Sequence, residues 1–268
     1  MEFETLTLAF FSPTGTTKKI LNGIAQGYGA GNIEEIDLTL PDLNIQTHRN
    51  IQNTLMVLGV PVYEGRVSST AASRLRQFQA VNTPAVIVVL YGNRDFEDAL
   101  LELNDLAREL GFLPVAGGAF VGEHSFASKD RPLALGRPDD KDMKTAKAFG
   151  AKIYSKISHM DCIDDAALIT PPGNRPYIEH ETSKIKDKGA STIEEKCTLC
   201  GECQTVCPVG AITVEDTVKT DKTACILCNA CVKTCQANAR VIDDPGINKL
   251  VNWVSRNFQA RKEPQIFI

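Results

Sequence analysis

The chain has 268 residues, 43% of them hydrophobic, and a formal net charge of −4. That length accommodates one ordinary domain plus a small one, with enough apolar residues for a real core, and the mild negative charge argues against a nucleic-acid partner. No run approaches the ~20 apolar residues of a membrane span; residues 1–11 alternate polar and apolar and include Glu2 and Glu4, unlike a secretory leader, so the expected location is the cytoplasm.

Thr5-Leu6-Thr7-Leu8-Ala9-Phe10-Phe11 reads as a buried strand. Ser12-Pro13-Thr14-Gly15-Thr16-Thr17 follows at once and leads into helical spacing at Ile20, Leu21, Ile24 and Ala25. The N–H groups of a helix N-terminus are unpaired and partly positive, so this turn suits a phosphate; the hydroxyls add donors, and Gly15 lets the backbone approach closely. No lysine stands where a nucleoside-triphosphate loop requires one. A plain N-cap is the alternative for the turn taken alone.

Residues 33–37 read as a second strand. Leu55-Met56-Val57-Leu58-Gly59 is a buried third strand that opens into Val60-Pro61-Val62-Tyr63-Glu64-Gly65-Arg66, then a helix over 68–78. Ala85-Val86-Ile87-Val88-Val89-Leu90 is the fourth, opening into Tyr91-Gly92-Asn93-Arg94-Asp95 and a helix over 96–110. A fifth strand over 113–121 and a helix over 141–157, with Met143, Ala146, Phe149, Ile153 and Ile157 on one face, complete the alternation. Five strands alternating with helices predict an α/β doubly wound parallel sheet, whose ligands bind beyond the carboxyl ends of the strands at the switch point. All three loops come out there.

The hydroxyl-rich turn and the two later loops resemble the flavodoxins, in which a Ser/Thr-x-Thr-Gly-x-Thr loop grips the phosphate of FMN. The resemblance implies the strand order 2-1-3-4-5 over residues 1–158. It places Ser12, Thr14, Gly15, Thr16 and Thr17 on the phosphate, and Pro61, Val62, Tyr63, Glu64, Gly65, Tyr91, Gly92, Asn93 and Arg94 around the isoalloxazine, with Tyr63 stacking on one face. Asn93 stands where many flavodoxins carry a second aromatic residue. Phe126, in Gly122-Glu123-His124-Ser125-Phe126, is a candidate to cover that face; ordinary packing and surface is the alternative for Phe126 and His124.

Residues 159–190 connect this unit to the next. Ile163, Ala166, Ala167, Leu168, Ile169, Tyr177 and Ile178 have reason to pack, and Pro171, Pro172 and Pro176 stiffen the path; the segment reads as a strap laid over the first unit. Cys162, remote from the other cysteines in sequence, reads as an inert thiol.

The other eight cysteines form two copies of one pattern, Cys197-x-x-Cys200-x-x-Cys203-x-x-x-Cys207 and Cys225-x-x-Cys228-x-x-Cys231-x-x-x-Cys235, which start 28 residues apart. A chain turning every three residues presents three sulfurs to one small object, and the fourth cysteine, a helical turn further on, points away and serves the other copy's cluster. One cluster then takes Cys197, Cys200, Cys203 and Cys235; the other takes Cys225, Cys228, Cys231 and Cys207. Disulfides and zinc are the alternatives. Disulfides need an oxidising compartment, and zinc sites space their cysteine pairs by a longer loop.

Similarity between the copies extends beyond the cysteines, with Ala211-Ile212-Thr213-Val214-Glu215-Asp216 matching Ala239-Arg240-Val241-Ile242-Asp243-Asp244. Residues 192–244 resemble the bacterial two-cluster ferredoxins, which implies two short hairpins and two short helices around two 4Fe-4S clusters; Pro208 follows one fourth cysteine and Gln236 the other. The unit is taken as 191–244, with a helix and tail over 245–268 in which Ile247, Leu250, Val251, Val254 and Phe258 recur at helical spacing. Residues 191–244 carry eight acidic and five basic side chains, and residues 245–268 carry one acidic and four basic, so an acidic ferredoxin face steering a basic redox partner competes with the reading of simple solvated surface.

The whole chain resembles flavodoxin-ferredoxin fusion proteins, electron-transfer proteins of anaerobes. The implied function is an electron relay between FMN and two 4Fe-4S clusters, joining two-electron to one-electron partners. A flavin-dependent reductase of a small oxidised substrate such as a quinone, and a flavin-free docking or sensing module, are the alternatives. No G-x-G-x-x-G for a pyridine nucleotide is present.

Overall fold

The computed structural model describes residues 3–41, 48–163, 167–179 and 187–268. Its main sheet contains β1 (Thr5–Phe10), β2 (Asn32–Asp37), β4 (Leu55–Tyr63), β7 (Thr83–Tyr91) and β8 (Phe112–Val121), all parallel and ordered β2-β1-β4-β7-β8. In terms of these five strands alone, that is the order 2-1-3-4-5, the flavodoxin-like winding. Between them run α1 (Thr16–Tyr28), α2 (Ser69–Leu75), α3 (Ala99–Glu109) and, after β8, α4 (Asp140–Ser158).

Period-two alternation assigns side chains to opposite faces of the sheet. Leu6, Leu8, Phe10, Leu55, Val57, Val86 and Val88 join α1 and α4 in one core, with Ile20, Ile24, Phe149 and Ile153. Ala9, Met56, Leu58, Ile87 and Val89 join α2 and α3 in the other, with Leu75, Leu100 and Leu103. All nine residues of β7 are buried, as expected of a central parallel strand covered on both faces. Each fully buried Val or Ile contributes about 1.5–3 kcal/mol. Where α1 meets α4 the backbones nearly touch: a Cβ on Gly27 would lie 1.9 Å from the Lys147 carbonyl oxygen, and one on Gly150 would lie 2.0 Å from that of Ile24.

Four short strands escape the sequence reading. β3 (His48–Ile51) and β6 (Phe78–Ala80) pair with each other, β5 (Arg66–Val67) folds back on β4, and β13 (Gln265–Phe267) adds antiparallel to β8. The expected helix over 68–78 ends at Leu75 because Phe78 and Ala80 turn inward as strand residues.

Within the C-terminal unit, β9 (Ser191–Thr192) pairs with β12 (Arg240–Val241), and β10 (Ile212–Val214) with β11 (Val218–Thr220). Two short helices, α5 (Glu202–Thr205) and α6 (Ala230–Thr234), pack together. The repeat extends to the backbone: Leu199 and Leu227, Gly201 and Asn229, and Gly210 and Asn238 are pairs at the 28-residue offset, and all six have positive φ. α7 (Pro245–Asn257) begins at Asp244, whose side chain accepts from the Ile247 N–H at 2.8 Å.

The described part of 159–190 runs along the first unit. The Ile169 N–H donates to the Pro114 carbonyl at 3.1 Å. Asp98 accepts from the N–H groups of Asn174 and Ile178, and Arg66 donates to the Ile178 carbonyl at 2.6 Å. Ala166 lies outside the described residues; Cys162 is exposed.

Candidate functional site: a cavity between the sheet and the cysteine unit

The hydroxyl loop is preorganised from below. The Ser12 N–H donates to Thr39 Oγ1 at 2.9 Å, Ser12 Oγ accepts from the Lys18 N–H at 3.1 Å, and the Gly15 N–H closes the turn onto the Ser12 carbonyl at 3.0 Å. Gly15 caps α1 with φ 77, a left-handed conformation that favours glycine, and the first turn of α1 holds no acidic residue. The 13-residue helix therefore presents an uncompensated positive end.

Above this loop opens a cavity of about 620 Å³, within the range of cofactor sites. Ser12, Thr14, Thr16 and Thr17 form its floor; Pro61, Val62, Tyr63, Glu64 and Gly65 line one side, and Tyr91, Gly92 and Arg94 another. Gly15 and Asn93 are not among the lining residues. Gly15 faces an adjoining cavity of about 340 Å³ that it shares with Thr14, Thr16, Lys19, Arg137 and Lys233. Asn93, 2% exposed and with φ 65, turns its amide away from the cavity and onto the C-terminal tail, donating to the carbonyls of Phe258 and Ala260 and accepting from the Lys262 N–H. It acts on the tail where flavin contact was expected.

Of the remaining walls, only the segment bearing Phe126 was expected from the sequence. Glu123, His124, Ser125 and Phe126 contribute one, and Ile178 with Glu179 another. α7 supplies Ile247, Leu250, Val251, Trp253 and Val254, and the second cysteine loop supplies Ile226, Leu227 and Cys228. Its helical periodicity showed that α7 had an apolar face, but not what that face meets. Val254 packs with Ala127 and Leu133 of the first unit, while Ile247 and Val251 pack with Leu227 of the second.

Burial dominates the electrostatics here. It pushes the Tyr63 hydroxyl well above its usual range, with Cys228 adding to the rise, and pushes Tyr91 up to about 12. The His124 imidazole lies against Gly92 and Phe126, and burial, then Lys233 and Arg94, bring it down to about 4. All three groups are neutral at pH 7.

Cys207, Cys225, Cys228 and Cys231 line one small cavity, so a cysteine of the first copy joins the triplet of the second. Cys203 lies within electrostatic reach of Cys197 and Cys200. The fourth cysteines are matched: the Ala211 N–H donates to Cys207 Sγ at 3.2 Å and the Ala239 N–H to Cys235 Sγ at 3.3 Å. Among the described residues no three His, Cys, Asp or Glu side chains converge on one metal ion, whereas a polynuclear cluster takes its thiolates from a wider ring. Burial raises the free thiols of Cys203, Cys228 and Cys231, so thiolate character there calls for a bound metal. The donor set fits an iron-sulfur cluster.

The 4Fe-4S binding domain family matches residues 190–213, the first cysteine copy. Among solved structures, the chain is similar to a flavodoxin from the domain Archaea, at 16% identity over 58% of this chain and 99% of that one, with a TM-score of 0.38. It is also similar to the flavodoxin of Streptococcus pneumonia TIGR4, at 13% over 57% and 99%, with a TM-score of 0.38. Rubredoxin oxygen:oxidoreductase from the anaerobe Desulfovibrio gigas matches at 11% over 59% of this chain, with a TM-score of 0.41, and the chain spans 37% of its length. No curated protein matches the sequence. The fold rests on the strand order itself: a flavodoxin-like α/β sheet joined in one chain to a ferredoxin-like 4Fe-4S binding unit. No helix among the described residues is long and apolar enough to cross a membrane.

Proposed function

We propose that the protein relays electrons between a bound FMN and two 4Fe-4S clusters within one molecule. The observation that carries this reading is that the hydroxyl loop, Tyr63 and Cys228 line the same cavity. FMN takes up one or two electrons and a 4Fe-4S cluster one, so the pair joins two-electron to one-electron chemistry.

The chain's own residues bind and orient. Thr14, Thr16 and Thr17, at the positive end of α1, would hold the phosphate. Tyr63 would stack on one ring face, with Phe126 and Trp253 available to the other, and the α7 side chains would exclude water. Cys207, Cys225, Cys228 and Cys231 would hold the cluster beside the flavin; Cys197, Cys200, Cys203 and Cys235 would hold the outer one. Cys200 is exposed, and so are Glu194, Glu195 and Glu202 around it. An acidic rim at the outer cluster suits a basic one-electron partner protein docking there. Thiolate ligation fits a reducing compartment such as the cytoplasm.

Anaerobically purified protein should carry one noncovalent FMN and about eight iron and eight sulfide per chain. Flash reduction of the flavin in dilute protein should reduce a cluster without any dependence on protein concentration. A reproducible content of about four iron after reconstitution, FAD in place of FMN, or clusters left oxidised would refute the relay.

A second reading, reduction of a small apolar oxidant at the flavin, is favoured by one observation. Leu250 and Trp253, at 48% and 53% exposure, leave an apolar rim on the cavity. Turnover of a quinone at rates matching flavin reoxidation would establish it.

A further inference from the structure

Residues 123–126 bring a histidine to the cavity wall and hold it there. The His124 N–H donates to the Leu133 carbonyl at 3.2 Å, and its own carbonyl accepts from the Ala127 N–H at 2.8 Å. On either side, the Glu123 N–H donates to the Arg137 carbonyl at 2.8 Å, and Lys233 binds Glu123 and the Ala127 carbonyl. The imidazole lies against the loop after β7: a Cβ on Gly92 would stand 2.4 Å from its Cδ2 and 2.8 Å from its Cγ. The ring occupies space that any other residue at 92 would need.

The two ring nitrogens have different surroundings. Nδ1 accepts from the Phe126 N–H at 3.2 Å. An accepting nitrogen carries no proton, so the neutral ring is protonated at Nε2, and the same bond fixes the ring orientation. Nε2 has no acceptor among the described residues, and the side chain lines the cavity of the hydroxyl loop. Burial and the nearby Lys233 and Arg94 charges keep the ring neutral. Arg94, the cation on the adjoining wall, gives its Nη groups to Glu97 at 2.8 and 2.7 Å, and Glu123 is held by Lys233 and by the Gly136 N–H. These charged neighbours are paired internally, whereas the imidazole offers its donor to whatever fills the cavity. An N–H without an acceptor is costly once water is excluded, so a well-bound occupant supplies one.

We propose that His124 is a flavin-binding residue that donates its Nε2–H to an acceptor on the isoalloxazine and thereby favours the reduced ring. The inference rests on the FMN reading of the preceding section. The nitrogens and carbonyls of the isoalloxazine are acceptors whose negative charge grows on reduction, so a donor fixed beside them binds the reduced form more tightly than the oxidised one. His124 acts as a hydrogen-bond donor only; its proton stays on Nε2. Phe126, with its ring centroid 5.8 Å from that of His124, supplies the apolar part of the same wall.

Two substitutions separate the donor from the packing role. His124→Asn keeps an acceptor for the Phe126 N–H and has nothing at the Nε2 position; His124→Gln keeps an amide N–H near the Nε2 position and gives up the acceptor at Nδ1. The measurements, on anaerobically purified full-length protein with iron content and melting temperature followed in each sample, are the dissociation constant of FMN by flavin fluorescence and the flavin midpoint potential by spectroelectrochemical titration. In His124→Asn the dissociation constant should rise about three- to tenfold and the potential should fall, while His124→Gln should stay near the wild type in both. A packing role alone gives the reverse order. If only one variant folds and retains iron, it decides by itself: wild-type values support the proposal in His124→Gln and overturn it in His124→Asn. A wild-type potential in His124→Asn, or equal losses in the two variants, overturns this inference alone. Absence of FMN from the wild type overturns the flavin reading and the inference with it.

Discussion

The guanidinium of Arg74, on α2, donates to the carbonyl of Pro208, the residue that follows Cys207, while its other amino group donates to the carbonyls of Leu38 and Thr39. One side chain thus ties the switch-point end of the sheet to the loop bearing Cys207, and it lies over the Phe11 ring at 5.5 Å. Lys233 makes a second tie, from α6 to Glu123 Oε1 and to the Ala127 carbonyl. Charge-assisted bonds of this kind contribute about 1.5–3 kcal/mol each. In Arg74→Met the two units should separate more often: hydrogen exchange across α2 and 206–209 should accelerate, and flash-induced transfer from flavin to cluster should slow about tenfold or more, at unchanged iron and FMN content. A wild-type transfer rate in that variant would show that the tie does not set the electron-transfer geometry.

Thr14 and Thr16 stand on the cavity floor with their hydroxyls 3.4 Å apart. Thr16→Glu places a carboxylate where a phosphate would sit, against a helix end that interacts with an anion by about 0.3–1 kcal/mol at an exposed site and up to ~2 kcal/mol when partly buried. FMN should be lost and iron retained, as read by absorbance and by the cofactor released on heating. Full flavin occupancy in both Thr14→Glu and Thr16→Glu would remove the hydroxyl loop from the binding site.

Asn93 is a buried clasp for the tail, and Arg261, paired with Asp139 at 2.6 Å, is a second. Asn93→Leu leaves two carbonyls and one N–H of the tail without their partner, at about 1–3 kcal/mol for each group left buried. The melting temperature should fall, and protection of the β13 amides should fall with it. Loss of FMN with an unchanged melting temperature would instead mean that Asn93 acts on the flavin.

His124 makes stability depend on pH. Its folded value near 4 lies below the ordinary 6.5 because burial disfavours the cation, so the unfolded chain takes the proton first. The contribution is intact above about pH 6.5 and is lost as the pH falls toward 4, to a limit of about 3 kcal/mol. Measured unfolding free energies should fall less steeply between pH 6.5 and 4 in His124→Gln than in the wild type. Equal slopes would mean that the imidazole is accessible to protons in the native state.

How far the sequence could be read depended on the range of the interaction. The apolar character of 5–11 and 85–90 was enough to place buried strands, because a short run bounded by turn residues fits a strand covered on both faces. The cysteine ladder was legible for a similar local reason: thiolates three residues apart suit one shared object, and the same ladder recurs at a 28-residue offset. The boundary of α2 was misjudged because Phe78 continues the helical run in sequence and becomes a strand residue only once β3 lies beside it.

Asn93 marks where local reading stops. Its position in a loop beyond a strand end pointed to the cofactor, yet the partner its amide meets is 165 residues away, at Phe258. β13 has no strand signal beyond three residues; what makes it a strand is the free edge of β8, whose unpaired backbone groups it satisfies. The same holds for the cavity. Periodicity in 247–258 established an apolar face on α7, and spacing established that Cys228 is a ligand candidate, but spacing carries no information about which surfaces meet. Only the packing of α7 against Leu133 on one side and Leu227 on the other, with the ties through Arg74 and Lys233, brings Cys228 to the wall that Tyr63 shares.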